Sequence, residues 1–152
     1  MIIFVETLRK MAQKYQWGQT SLNRMKGVDE RIIRVLFRAI RIASRKKDGI
    51  DMSIPNFGGL RTADEQNKLF ENGFSKCDGY EKKSDHQSGK AIDVIPYIKG
   101  KNVYSMSEKD QEIAFSKVAV CMLQASALEG VKLEWGGNWK GWLDRPHFSL
   151  RD

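Results

Sequence analysis

Apolar residues along the chain switch several times between the helical and the strand period, and the switches mark out the expected elements. Phe4, Leu8, Met11 and Tyr15 share one stripe of a short amphipathic helix expected over residues 1–16. Gly18-Gln19-Thr20-Ser21 breaks it, closing an N-terminal helical segment of residues 1–20. A stronger helix is predicted over 28–45, where Ile33, Leu36, Phe37, Ile40 and Ala43 keep the helical period. Asp29 and Glu30 lie in its first turn and basic residues in its last, as the helix dipole favours. Asp48-Gly49 ends it, and Ile50-Asp51-Met52-Ser53-Ile54 alternates as a strand does. Pro55 and Gly58-Gly59 make a loop; Thr62, with Glu65 three residues on, then reads as the capping box of a helix through Phe70.

The second half continues the alternation. Residues 72–90 are polar and glycine-containing, a loop long enough to suggest function. A strand is predicted over 91–95 and a long helix over 107–128, with Ile113, Val120, Leu123 and Leu128 inward and Gly130 as its cap. Residues 131–135 form a strand candidate, Gly136-Gly137 a turn, and 147–150 a closing strand. No repeat, low-complexity stretch or linker divides the chain. The reading is one compact α+β domain over residues 1–152: a small, mainly antiparallel sheet with helices packed around it.

Composition agrees. With 41% hydrophobic and 30% charged residues, 152 residues suffice for a folded core. No apolar run approaches the roughly 18 residues of a membrane helix, so no stable membrane insertion is expected. Met1-Ile2-Ile3-Phe4-Val5 precedes Glu6, Arg9 and Lys10, the wrong charge order for a signal peptide, so work outside the cytoplasm calls for a separate export route. Cys77 lies in the polar loop, Cys121 in an apolar helical run that would bury it as a free thiol; neither has metal-ligand spacing.

The net charge of +7 predicts attraction to polyanions. Arg31, Arg34, Arg38, Arg41 and Arg45 recur at steps of three and four and share a helix face. That face is either simply solvated or adheres to an anionic wall or outer-membrane surface. Arginine stripes also neutralise phosphates, but no nucleic-acid-binding signature accompanies this one, so no specific nucleic-acid partner is expected.

The candidate chemistry gathers around the only two histidines, His86 and His147. Catalytic zinc takes three protein ligands and leaves a fourth position for water. His86, Asp93 and His147 would supply such a set, with Asp144 beside it as base. A lone histidine is ordinarily a surface or satisfied core residue. Asp93 is stranger: between Ile92 and Val94, a carboxylate needs a partner, because burying its charge alone costs several kcal/mol. A metal or an arginine would serve. Gly89 permits the turn that would bring His86 and Asp93 together. Asp144 and His147 flank the φ-locked Pro146, a spacing that also fits an Asx-type turn. Trp135, Trp139 and Trp142 either line a groove or pack; Glu134 is an alternative base; Asp85 reads as a solvated loop acid.

The series Ser84-x-His86-x-x-Gly89-x-Ala91-x-Asp93, Trp135-Gly136-Gly137-x-Trp139 and Asp144-x-x-His147-Phe148 resembles the zinc peptidases that cleave bacterial peptidoglycan stem peptides. The likeness covers roughly residues 21–150. That family holds D-alanyl-D-alanine carboxypeptidases and dipeptidases together with bacteriophage L-alanyl-D-glutamate endopeptidases. Asp-x-x-His, where many carboxypeptidases have Glu-x-x-His, and the short chain are similar to the endolysin branch. The resemblance implies zinc (Zn2+) on His86, Asp93 and His147, with the site on the sheet, and Asp144 as catalytic base. It implies Arg61, in Gly59-Leu60-Arg61-Thr62, as the substrate-polarising arginine and Ser84 as a substrate contact, while Trp135 and Trp139 are candidate substrate contacts on their position alone.

It further implies a monomer made in the infected host cytoplasm, released to peptidoglycan by a holin-like permeabilising protein. Two rival readings stand: a D-alanyl-D-alanine carboxypeptidase, and a non-catalytic zinc-containing wall-binding module. The presence of Asp144 and Arg61 argues against the second.

Overall fold

Among the described residues, four α-helices and five short strands carry the core. The structure, a computed structural model, describes residues 1–3 and 13–152. The helices are α1 (Gln19–Arg24), α2 (Glu30–Arg45), α3 (Ala63–Glu71) and α4 (Glu108–Glu129); the strands are β1 (Asp51–Ser53), β2 (Ala91–Asp93), β3 (Ile95–Tyr97), β4 (Leu133–Trp135) and β5 (His147–Leu150). The expected α+β class holds, with its sheet in two parts: β1 pairs with β3, and β2 and β4 flank β5, all antiparallel. The strand read over 91–95 is therefore two strands. Between them the Val94 amide leaves the ladder to bond the Pro146 carbonyl at 2.9 Å.

Most of the helix expected over 1–16 lies on residues 4–12, outside the described residues. Residues 13–16 are not helical. Tyr15 instead runs alongside α2, its amide bonded to Ser44 Oγ (3.0 Å) and its hydroxyl to the Gly49 carbonyl (2.9 Å). The expected break at residues 18–21 is likewise the start of α1, where buried Ser21 accepts the Ile54 amide through Oγ at 3.0 Å.

α2 starts where charge placement predicts, with Asp29 as its N-cap accepting from the Arg31 amide. Its buried stripe is Ile32, Val35, Leu36, Ala39, Ile40 and Ala43. Phe37 falls outside the stripe, 44% exposed, and Ile33 only borders it. α4 departs further from expectation. Ile113, Val120 and Leu128 are 47%, 53% and 60% exposed, and the inward face is Phe115, Val118, Met122 and their small neighbours Ala114, Ala119, Cys121, Ala125 and Ser126. The two helices pack along each other. Small side chains at that contact let them approach closely, and the bulkier apolar residues are left on the outer face.

The arginine stripe is not an uninterrupted solvated face. Arg31 pairs with Asp29 and Asp152, while Arg34 and Arg38 both face Glu129, at 3.7 and 2.6 Å. Cys121 is buried and Cys77 half-buried, both free thiols. Among the described residues no helix is long and apolar enough to cross a membrane.

Candidate metal centre

Three local structures converge on one point. His86 sits in a 3₁₀ turn, Asp85–Ser88, capped by Ser84 Oγ and closed by Gly89 in the left-handed conformation, φ 72°. A side chain at Gly89 would be strained there and would also press on the Gly27 carbonyl. Asp93 ends β2 and His147 opens β5, and the register pairs these two residues directly. Cross-strand partners keep their Cβ atoms about 4.5–5.5 Å apart, so the ladder itself delivers a carboxylate and an imidazole side by side.

His86 Nδ1 faces the Gly59 carbonyl at 2.9 Å. A carbonyl only accepts, so Nδ1 carries a proton and Nε2 is the nitrogen turned to the centre. There His86 Nε2 lies 3.2 Å from His147 Nδ1 and 3.2 Å from Asp93 Oδ1, and His147 Nδ1 lies 3.5 Å from the same oxygen. These separations match the roughly 3.3 Å edge of a tetrahedron with metal–ligand bonds of about 2.0–2.1 Å. Asp93 Oδ1 is buried and accepts no hydrogen bond. Two imidazole nitrogens and an orphaned carboxylate oxygen turned on one another form a set that a cation satisfies, and among the described residues His86, Asp93 and His147 form such a group. The donors fit zinc chemistry: two imidazoles and one carboxylate, with the His86 ring oriented from behind by a backbone carbonyl.

The other oxygen of Asp93 is held by Arg61. Its Nη2 donates to Asp93 Oδ2 at 2.7 Å, Nη1 to Gln66 Oε1 at 3.0 Å and Nε to the Phe57 carbonyl at 2.6 Å. Phe57 itself has a positive φ of 58°, and the Arg61 amide bonds the His86 carbonyl at 3.1 Å. Three of the five guanidinium donors are thus committed to the protein and two remain. Burial alone would raise the Asp93 carboxyl, but His86, His147 and Arg61 outweigh it and hold the group well below the ordinary carboxylate range.

Asp144 is half-buried beside this set. Its backbone is fixed by Asp144 N–H to the Gly136 carbonyl (3.1 Å) and by the His147 amide to its own carbonyl (3.2 Å). Gly136 is required here, because a Cβ would collide with the Asp144 carbonyl oxygen. Burial first, and the charge of Asp93 second, raise the Asp144 carboxyl above the usual aspartate value. Glu134 stands elsewhere: it accepts the Trp139 indole N–H at 2.9 Å and pairs with Arg151, so it is not free to act as a base. Asp85 is paired with Arg151 at 3.3 Å and lies outside the ligand group, as a loop acid.

The tryptophans divide. Trp135 packs, stacked on Phe148 with its N–H on the Arg145 carbonyl. Trp139 lies against the His147 ring, 5.0 Å between centroids, and walls the site. Trp142 is exposed, with Lys76 Nζ 4.8 Å from its ring centroid. Ser84 Oγ accepts the His86 amide at 3.3 Å, so in this structure it shapes the histidine turn.

One further residue is tied to the centre and carries no signal in the sequence. Gln66 is the one buried residue of α3, and its amide joins Arg61 to the loop at Ser75 and Cys77. The Tyr104 phenol is raised by burial and then by the charges of Asp93 and Asp144. A cavity of about 440 Å³ between the end of α2 and α4, lined by Gly49, Ile113, Val120 and Cys121, shares no residue with it.

Residues 12–148 match the family model described as phage L-alanyl-D-glutamate peptidase. The crystal structure of the Serratia marcescens L-Ala D-Glu endopeptidase ChiX has the same fold: TM-score 0.71, 26% sequence identity, and 95% of each chain covered. A family match over nine-tenths of the chain, a shared fold and a converging His-Asp-His set agree: the chain belongs to the phage L-alanyl-D-glutamate peptidase family.

Proposed function

We propose that the protein is a zinc-dependent peptidoglycan hydrolase that cleaves the L-alanyl–D-glutamate bond of the stem peptide, acting as a phage endolysin. One observation carries the metal dependence: the buried, unpartnered Asp93 Oδ1 between His86 Nε2 and His147 Nδ1. Family membership carries the bond. In this reading the monomer is made in the host cytoplasm and reaches the wall once a holin-like protein has permeabilised the membrane.

His86, Asp93 and His147 hold the ion, and zinc when bound supplies Lewis acidity, bringing the pKa of water from 15.7 towards about 7. The protein's own groups do the rest. Asp144 takes a proton from the attacking water at its carboxylate and returns it to the leaving amine nitrogen. The two remaining Arg61 donors face the oxygen on which negative charge develops, a contribution of about 2.7–4 kcal/mol for a donor of this kind. Trp139 packs on His147 and keeps that imidazole in place.

The test is digestion of purified sacculi with and without chelator, with new ends identified by mass spectrometry. New N-terminal glutamate, lost with chelator and restored by zinc, is expected. Release of D-alanine instead would assign the carboxypeptidase reaction, and zinc binding with no new ends would assign a wall-binding module.

A further inference from the structure

Lys76 is held in place from two sides of the site. On one side, Gln66 Nε2 donates to Ser75 Oγ and to the Cys77 carbonyl, both at 2.8 Å, and the Cys77 amide closes back on Ser75 Oγ at 3.1 Å. Gln66 is fully buried and uses its oxygen on Arg61 Nη1. One amide therefore fixes both the arginine that faces Asp93 and the two neighbours of Lys76. On the other side, Lys76 Nζ sits 4.8 Å from the ring centroid of Trp142, on the loop that leads into Asp144. The contact joins the wall that carries Arg61 to the wall that carries Asp144.

The other fixed cations of the site already have anionic partners. Arg61 pairs with Asp93, and Arg145, next to Asp144, pairs with Glu108 at 2.5 Å. Among the described residues no carboxylate lies within ion-pair distance of Lys76; its partner is an indole face. A half-exposed ring is a weaker partner for an ammonium than a carboxylate sheltered from water.

The proposed substrate brings such a carboxylate. A D-glutamyl residue has two carboxyl groups and continues the peptide through one of them, so the other is free a few bonds from the scissile nitrogen. Resting on the function proposed above, we propose that Lys76 is a specificity-determining residue that recognises this free carboxylate on the leaving-group side, exchanging the Trp142 face for it.

The experiment compares two soluble stem peptides, one with that carboxylate free and one with it converted to the carboxamide, on the zinc-loaded wild type, Lys76→Met and Lys76→Arg. Wild type is expected to favour the free acid by roughly tenfold or more in kcat/KM, the scale of one hydrogen bond to a charged group, and mainly through KM. Lys76→Met should cleave the acid as poorly as wild type cleaves the amide, and the amide unchanged. Lys76→Arg should restore most of the preference. Discrimination that survives Lys76→Met, equal cleavage of both peptides by wild type, or an equal loss on both peptides in Lys76→Met would overturn the proposal. The last would mark Lys76 as structural. Cleavage of neither peptide by wild type would overturn the function reading and this proposal with it, whereas cleavage of both without preference overturns this proposal alone.

Discussion

Arg61 and Asp93 are joined by a 2.7 Å hydrogen bond from Nη2 to Oδ2, and that bond turns the carboxylate's second oxygen between the two imidazoles. The arginine therefore aims a candidate ligand. Arg61→Ala is expected to weaken zinc binding by about 10–100-fold, the usual effect of removing the group that orients a ligand. Without metal it also leaves a buried carboxylate without its partner, and unfolding should become easier by about 3–5 kcal/mol. Added zinc should recover part of that loss by giving Asp93 a partner again. Competition against a fluorescent chelator and melting curves with and without zinc read both effects. Wild-type zinc affinity in the variant would refute the aiming role.

Asp144 is set by backbone bonds, one to Gly136 and one from His147, which its side chain does not make. Asp144→Asn should therefore keep the fold, the zinc content and the melting temperature, while turnover falls by about 10²–10⁴-fold, the range for a general base. Elemental analysis beside a sacculus-release assay separates the outcomes. Near-wild-type turnover at full zinc occupancy would remove Asp144 from the mechanism.

The ligand set was legible because its signals are local. A histidine turn closed by Gly89, a carboxylate inside an apolar strand, and Asp and His astride Pro146 can each be read within a few residues. What brings them together was not legible. The pairing of Asp93 with His147 is a matter of register between strands more than fifty positions apart, and a one-residue slip would turn one of them to the opposite face. Gln66 was missed for a related reason: on a mostly exposed helix a glutamine looks solvated, and only the return of the loop at Ser75 and Cys77 buries it. The inward face of α4 was misread because size was taken as the guide to burial. At a close helix–helix contact small residues occupy the interface, so Ala119 and Ala125 are inside while Val120 and Leu128 are out.

Asp29 gives the fold a dependence on acid. The side chain of Arg31, then its amide, hold the Asp29 carboxyl down at about 2 against an ordinary value of 3.8, with burial opposing. A depressed folded-state pKa means stability that is complete above the unfolded value and is lost as pH falls from 3.8 through about 2. Asp29→Ala should cost about 1 kcal/mol at neutral pH, as an N-cap does. The gap between variant and wild type should close across that acid window. Urea melts at several pH values measure it, and a gap unchanged at the lowest pH would show that charge at the cap is irrelevant.

Gly136 tests whether turn geometry, rather than side-chain chemistry alone, builds the site. A methyl group here would meet the Asp144 carbonyl oxygen and crowd Cβ of both Asp144 and His147 at 3.1 Å. The backbone oxygen belongs to the segment that carries the proposed base and enters β5, so it has little room to retreat. Gly136→Ala should therefore destabilise by about 1–3 kcal/mol, as overpacking does. Turnover should fall more steeply than stability, because a displacement near 1 Å between base and substrate is enough for a loss of about 10²-fold. Zinc should still bind, though more weakly, since His86 and Asp93 lie away from the collision while His147 Cβ is crowded by it. A folded, zinc-loaded Gly136→Ala protein with wild-type kcat would show that Asp144 does not depend on this turn for its position.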